Sequence, residues 1–96
     1  MEFEWDEAKR RINLEKHGLD FGVVEEFDWA EALIEPSPER DYGEDRFVAV
    51  GDFRGGFYTV IFTWRGARTR IISFRRARPQ EVKRYEAQKE VRSSRL

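Results

Sequence analysis

The sequence predicts a single α+β domain in which a strand and two helices precede an antiparallel β-meander closed by a C-terminal helix. Three observations carry that prediction. The first 27 residues hold helical stretches with cap and stop residues, residues 46–76 alternate apolar and polar positions between glycine turns, and Pro79 opens a final helical run.

Phe3-Glu4-Trp5 has strand alternation, and Asp6 is placed to cap a helix from Glu7 to His17 that Gly18 stops. Asp20 caps a second predicted helix, in which Phe21, Val24 and Phe27 recur every three residues beside Val23 and form an apolar stripe. A short extended piece around Leu33-Ile34 follows, and Pro36-Ser37-Pro38 breaks regular structure. The meander consists of a strand from Arg46 to Phe53, a turn at Arg54-Gly55-Gly56, a strand from Phe57 to Trp64, a turn at Arg65-Gly66-Ala67, and a last strand from Thr69 to Arg76. In the middle strand Tyr58, Val60, Phe62 and Trp64 share one face, and Phe57, Thr59, Ile61 and Thr63 share the other. Pro79 suits a first helical turn, Gln80 and Glu81 follow, and the helix is expected to reach about Val91, leaving residues 92–96 as a frayed tail. Neither an internal repeat nor a linker is visible, so residues 1–96 form one domain.

Composition narrows the class. The chain has no cysteine, which rules out a disulfide framework and thiolate metal sites and suits a reducing cytoplasm. The apolar run Val60-Ile61-Phe62-Thr63-Trp64 is too short to span a bilayer, and the N-terminus lacks a signal-peptide pattern, so a cytoplasmic protein with no membrane partner is expected. The net charge of −1 conceals a division. Residues 1–50 hold six Lys/Arg against fifteen Asp/Glu, and residues 51–96 hold twelve against four. Such asymmetry fits either an anionic partner such as RNA or mutual neutralisation of the two halves within one fold.

The candidate chemistry centres on the last strand. Six arginines fall between Arg65 and Arg78 with no acid among them, and their planar, permanently charged forks suit phosphate. Regular alternation puts Arg70, Ile72, Phe74 and Arg76 on one face and Thr69, Ile71, Ser73 and Arg75 on the other. On that basis Arg70 and Arg76 share a face, and Arg75 joins them only if the strand ends or bulges. Arg65 and Arg68 lie at the hairpin turn, at the same end of the sheet. His17, the only histidine, sits at a helix end, where it serves either as a cap on the helix dipole or as a proton carrier. Glu81 and Tyr85 are one helical turn apart and face one side; Tyr85 reads either as a rim-facing core residue or as a proton donor. Asp41, Glu44 and Asp45 cluster without the glycine and ligand order of a calcium loop, so no metal site is expected. Trp5, Trp29, Trp64, Phe62 and Tyr58 are expected in the core of a chain that is 15% aromatic.

These residues resemble those of a known family. Phe3-Glu4-Trp5-Asp6, Lys9, Asn13, Lys16-His17-Gly18-Leu19-Asp20-Phe21, Phe27-Asp28, Asp45-Arg46, Arg70-Ile71-Ile72-Ser73, Arg75-Arg76-Ala77, Glu81 and Tyr85 look like the BrnT toxins, over residues 3 to about 86. The resemblance implies a RelE-like fold and the toxin half of a type II toxin–antitoxin system. It further implies a cytoplasmic, metal-independent endoribonuclease without cofactor that reduces translation. A BrnA-like antitoxin would neutralise it in a heterotetramer held by antitoxin dimerisation, with operator DNA met only through the antitoxin. Internal attack by a 2′-hydroxyl then assigns Arg70, Arg75 and Arg76 to the phosphate. His17, Glu81 and Tyr85 become the proton-transfer candidates, and Arg65, Arg68 and Arg78 would bind RNA. The alternative is a non-catalytic RNA- or protein-binding module using the same basic strand.

Overall fold

The computed structural model describes residues 1–38 and 43–94. In chain order it contains β1 (Glu2–Trp5), α1 (Glu7–His17), a 3₁₀ helix (Phe21–Glu26), β2 (Leu33–Pro36), β3 (Phe47–Phe53), β4 (Gly56–Arg65), β5 (Arg68–Arg76) and α2 (Pro79–Ser94). The strands form one sheet in the order β1-β5-β4-β3-β2. The expected α+β class is met, with one correction to the meander: β1 joins β5 in parallel, so the sheet is mixed rather than purely antiparallel.

Local chemistry explains the elements. Asp6 accepts from the Ala8 amide at 2.8 Å at the start of α1, and Gly18 closes that helix at φ 70°, its amide bonding back to the Leu14 carbonyl. The predicted second α-helix is instead the 3₁₀ helix. A strict three-residue repeat of Phe21, Val24 and Phe27 matches three residues per turn, and the amides of Val23 and Phe27 bond to carbonyls three residues back. The β3–β4 hairpin turns through Arg54 and Gly55, both at positive φ, the primed geometry that a two-residue hairpin requires. Arg54 adopts it with its guanidinium held by both oxygens of Glu26 at 2.9 Å. Helix α2 extends through Ser94, so residues 92–94 are helical rather than frayed, and Arg92 lies 3.6 Å from Glu31.

The sheet has two unlike faces. Against the first, the 3₁₀ helix buries Phe21, Val24 and Phe27 on Ala49, Phe53, Val60, Phe62, Ile71 and Phe74, with Phe3, Trp5 and Trp29 packed around them. Each fully buried phenylalanine there contributes about 2–3 kcal/mol. Trp29 joins three rings, Phe3, Phe27 and Phe62, at centroid distances of 5.0–5.5 Å, and its indole donates to the Val24 carbonyl. Trp64 departs from expectation: its ring packs at a tilt against Phe47 at the end of the sheet, but it is 51% exposed. The second face carries Thr59, Ile61, Thr63 and Val50, and α2 covers only part of it, with Tyr85 buried against Phe57.

Candidate functional site

The decisive irregularity is in β5. Opposite β4, Ser73 pairs with Ile61 and Ile71 pairs with Phe62, so Ile72 is an extra residue and the register shifts there. The bulge lets Ile71 and Phe74, three residues apart, both enter the core. It also re-sorts the arginines. Arg70 pairs with Thr63 and Arg75 with Thr59, placing both on the second face, while Arg76 pairs with Tyr58 and lies on the first. The expectation from regular alternation, that Arg70 and Arg76 share a face, is therefore overturned by the bulge. Arg76 lies over the Tyr58 ring, its guanidinium carbon 5.3 Å from the centroid.

Arg75 is the most enclosed of these cations. Its side chain is 13% exposed and meets Glu81 with two parallel bonds of 2.8 and 3.0 Å. A third donor reaches the Arg76 carbonyl at 3.2 Å, so three of the five guanidinium N–H groups are engaged. Glu81 is placed by α2: as the third residue of that helix it also accepts from the Arg78 amide at 2.7 Å, the return half of a capping box. The Thr59 hydroxyl donates to it from β4 at 3.0 Å. Burial pushes the Glu81 carboxyl up, but these donors outweigh it and hold the group at about 2, so it is ionised at neutral pH.

A cavity of about 250 Å³ opens beside this pair, lined by Arg75, Arg78, Glu81 and Arg84 together with Val48, Ile61 and the segment 35–38. Arg84, one turn beyond Glu81 and paired with Glu35, is a member that sequence reasoning missed; its three-residue spacing from Glu81 on one helix was the available signal. Tyr85 does not line this cavity. It is 3% exposed, and the Lys89 ammonium lies 5.2 Å from the centroid of its ring in a different concavity.

His17 lies on the other flank of β5. Burial lowers its pKa below 6.5, and the charges of Lys16 and Arg75 push the same way, so the imidazole is neutral at pH 7 and senses Arg75. Asn13 secures α1 to this flank. Its side-chain amide donates to the Phe74 carbonyl at 2.8 Å and accepts from the Phe74 amide at 3.1 Å, where β1 no longer covers β5.

The remaining arginines of the strand are bound to acids of the first half. Arg70 meets Glu4 at 2.6 Å, Arg68 meets Glu2 at 3.5 Å, and Arg65 meets Glu44 at 3.2 Å. Arg78 carries no ion pair among the described residues. Thus the structure brings together Arg75, Arg78 and Glu81, places His17 in a separate concavity beside Ile72 and Ser73, and separates Arg65, Arg68, Arg76 and Tyr85 from the cluster; Arg70 shares the face but is occupied. Of the acidic cluster, Glu44 is bound to Arg65 and Asp41 lies outside the described residues. Among the described residues no group of three His, Asp or Glu side chains is arranged to hold a metal, and no helix is long and apolar enough to cross a membrane.

No curated protein matches the chain in sequence. A family model described as the ribonuclease toxin BrnT of type II toxin–antitoxin systems matches residues 5–81, a span that contains β1 from Trp5, the Asn13 contact, His17, the bulged strand and Glu81. The chain belongs to the BrnT family of type II toxin–antitoxin ribonuclease toxins.

Proposed function

We propose that this chain is a metal-independent endoribonuclease that cleaves RNA at the second face of the sheet, with Arg75 as the phosphate-binding group. The observation that carries this reading is the Arg75–Glu81 pair: a nearly enclosed guanidinium, aimed by a carboxylate that is itself fixed by a helix cap and a threonine, beside an open cationic cavity. Preorganised charge of this kind stabilises a phosphorane without reorganising as the reaction proceeds. The two guanidinium donors outside the bonds named above are the ones that meet a phosphate oxygen while Glu81 keeps its hold.

In the proposed reaction the ribose 2′-hydroxyl attacks the adjacent phosphorus, its proton passes to neutral His17, and the P–O5′ bond breaks. The products are a 2′,3′-cyclic phosphate and a 5′-hydroxyl whose proton comes from solvent at the open mouth. Glu81, ionised well below neutral pH, is a positioning residue for Arg75 rather than a proton donor. Arg78 binds the flanking RNA; Arg70 and Arg76 support the strand from opposite faces. Tyr85 holds α2 on the sheet.

Family membership implies an antitoxin partner. We assign that role to a BrnA-like protein whose own dimerisation builds a heterotetramer and which alone contacts operator DNA. The toxin then acts in the cytoplasm and lowers translation, and its sheet and helices take a RelE-like arrangement. The test is purified protein incubated with RNA in excess EDTA. Cleavage that leaves cyclic-phosphate ends, together with toxicity relieved by the neighbouring gene, is the expected result. A well-folded protein that binds RNA without cutting it would leave only the binding module.

A further inference from the structure

A second concavity lies across β5 from the Arg75 cavity. It has a volume of about 250 Å³ and is lined by Lys9, Ile12, Asn13, Lys16 and His17 of α1 and by Ile72 and Ser73 of β5. Its charge is of one sign: the ionisable lining groups are Lys9, Lys16 and His17, with no acid among them. Neither lysine has an ion pair among the described residues, in contrast to Arg65, Arg68 and Arg70. Lys9 and Lys16 are seven residues apart on α1, two helical turns or about 10.5 Å, and they bracket Ile12. That isoleucine is 61% exposed, an apolar side chain left facing solvent between two cations. The other wall is Ile72, the residue that the bulge adds.

We propose that this groove is a nucleotide subsite for single-stranded RNA flanking the scissile phosphate. Lys9 and Lys16 take the backbone, and one base rests against Ile12 and Ile72. Continuity with the Arg75 site supports that occupant over others. Ser73 lines this groove and Arg75 lines the other cavity, and the two residues sit on the same face of β5, about 7 Å apart along the strand. The polymer that places a phosphate on Arg75 must leave the site in some direction, and this direction offers unpaired cations and an apolar platform within one nucleotide's reach. His17 lines the groove, and the charge of Arg75 acts on it across β5, lowering its pKa. The inference rests on the ribonuclease reading.

The test uses the full chain carrying Lys9→Glu and Lys16→Glu together, both at exposed positions, with the fold checked by circular dichroism. A labelled hexaribonucleotide made uncleavable by 2′-O-methylation is titrated by fluorescence anisotropy. Affinity should fall at least tenfold, on the order of two phosphate contacts. The slope of log affinity against log salt should shrink by about 1.4, given ~0.7 per phosphate on a single strand. Cleavage of a dinucleotide, too short to reach the groove, should keep the wild-type kcat/KM in the Lys9→Glu single variant, which leaves the Lys16 charge beside His17 in place. As a second variant, Ile12→Ser should weaken the hexamer about threefold and leave the salt slope unchanged. Unchanged hexamer binding by the double variant, while wild type still cleaves RNA, would overturn the groove assignment alone. Loss of antitoxin affinity with RNA affinity intact would overturn it in favour of a protein-docking face. A wild-type chain that neither binds nor cleaves RNA would remove both readings together.

Discussion

The two halves of β5, before and after Ile72, carry similar sequences and have opposite fates. Before the bulge the strand is edged by β1, and its arginines are met by acids of that neighbour: Arg68 by Glu2 and Arg70 by Glu4, from directly paired positions. After the bulge β1 has ended, a helix takes its place through Asn13, and Arg75 answers to Glu81 across the sheet face beside an open cavity. Arginine content alone therefore does not mark a phosphate site. What distinguishes the halves is whether the compensating acid closes the surface or holds a guanidinium at the edge of an opening.

The largest difference should appear on Arg75→Ala. Loss of one preorganised donor group typically costs about 3 kcal/mol of barrier, so RNA cleavage should fall on the order of 10²–10³-fold. A residual rate within tenfold of wild type, with the fold intact by circular dichroism, would refute the role assigned to this half.

Asn13→Ala tests how the second half is edged. It orphans the amide and carbonyl of Phe74 in a buried setting, at about 1–3 kcal/mol for each unsatisfied group. Urea unfolding should show a loss of about 3 kcal/mol. Loss below ~1 kcal/mol would mean that water replaces the amide and the edge needs no helix.

Acid titration separates the halves more gently. Glu81 has a folded pKa of about 2 against an ordinary value of 4.5, so its contribution is fully present above about pH 4.5 and is lost as pH falls towards 2. The Glu81→Gln protein should be less stable at neutral pH and should lose less between pH 5 and 2. His17, with its pKa lowered, adds a smaller loss that begins below about 6.5, where the unfolded chain takes up a proton first. Parallel acid limbs in wild type and Glu81→Gln would show that the clamp does not couple to folding.

Smallest of all should be the effects of Arg70→Ala and Arg76→Ala on activity. The first removes a partly buried ion pair and should lower stability by about 1 kcal/mol with cleavage within fivefold. The second removes a cation from the opposite face and should change cleavage less than threefold. A hundredfold loss from Arg76→Ala would place the reaction on the wrong face.

Much of the fold was legible because each signal was local. Asp6 and Gly18 bounded α1, the Arg54-Gly55 turn joined β3 to β4, and alternation in β4 assigned both of its faces. The pairing of β1 with β5 was not legible, since it joins residues 2–5 to residues 68–71 and no local pattern encodes so distant a register. The bulge lay between these cases. Ile71 and Phe74 both need burial yet are three apart, which a period of two cannot satisfy, and that conflict was readable. At the site, Arg75 and Glu81 were visible as residue types, but their mutual clamp depends on where α2 lands. The division of the charges was legible in the halves of the chain, and among the described residues six ion pairs join Arg54, Arg65, Arg68, Arg70, Arg84 and Arg92 of the basic half to Glu26, Glu44, Glu2, Glu4, Glu35 and Glu31 of the acidic half.

The side-chain amide of Asn13 has a consequence for the company this protein keeps. A strand that ends its partnership halfway leaves a row of backbone groups ready to recruit another chain, the usual start of edge-to-edge aggregation. One amide, presenting donor and acceptor together, imitates a missing residue of a neighbouring strand and quarantines that edge. The most cationic strand of the molecule can thus border open solvent, where a substrate must approach, without offering its backbone as a template to a second copy of itself.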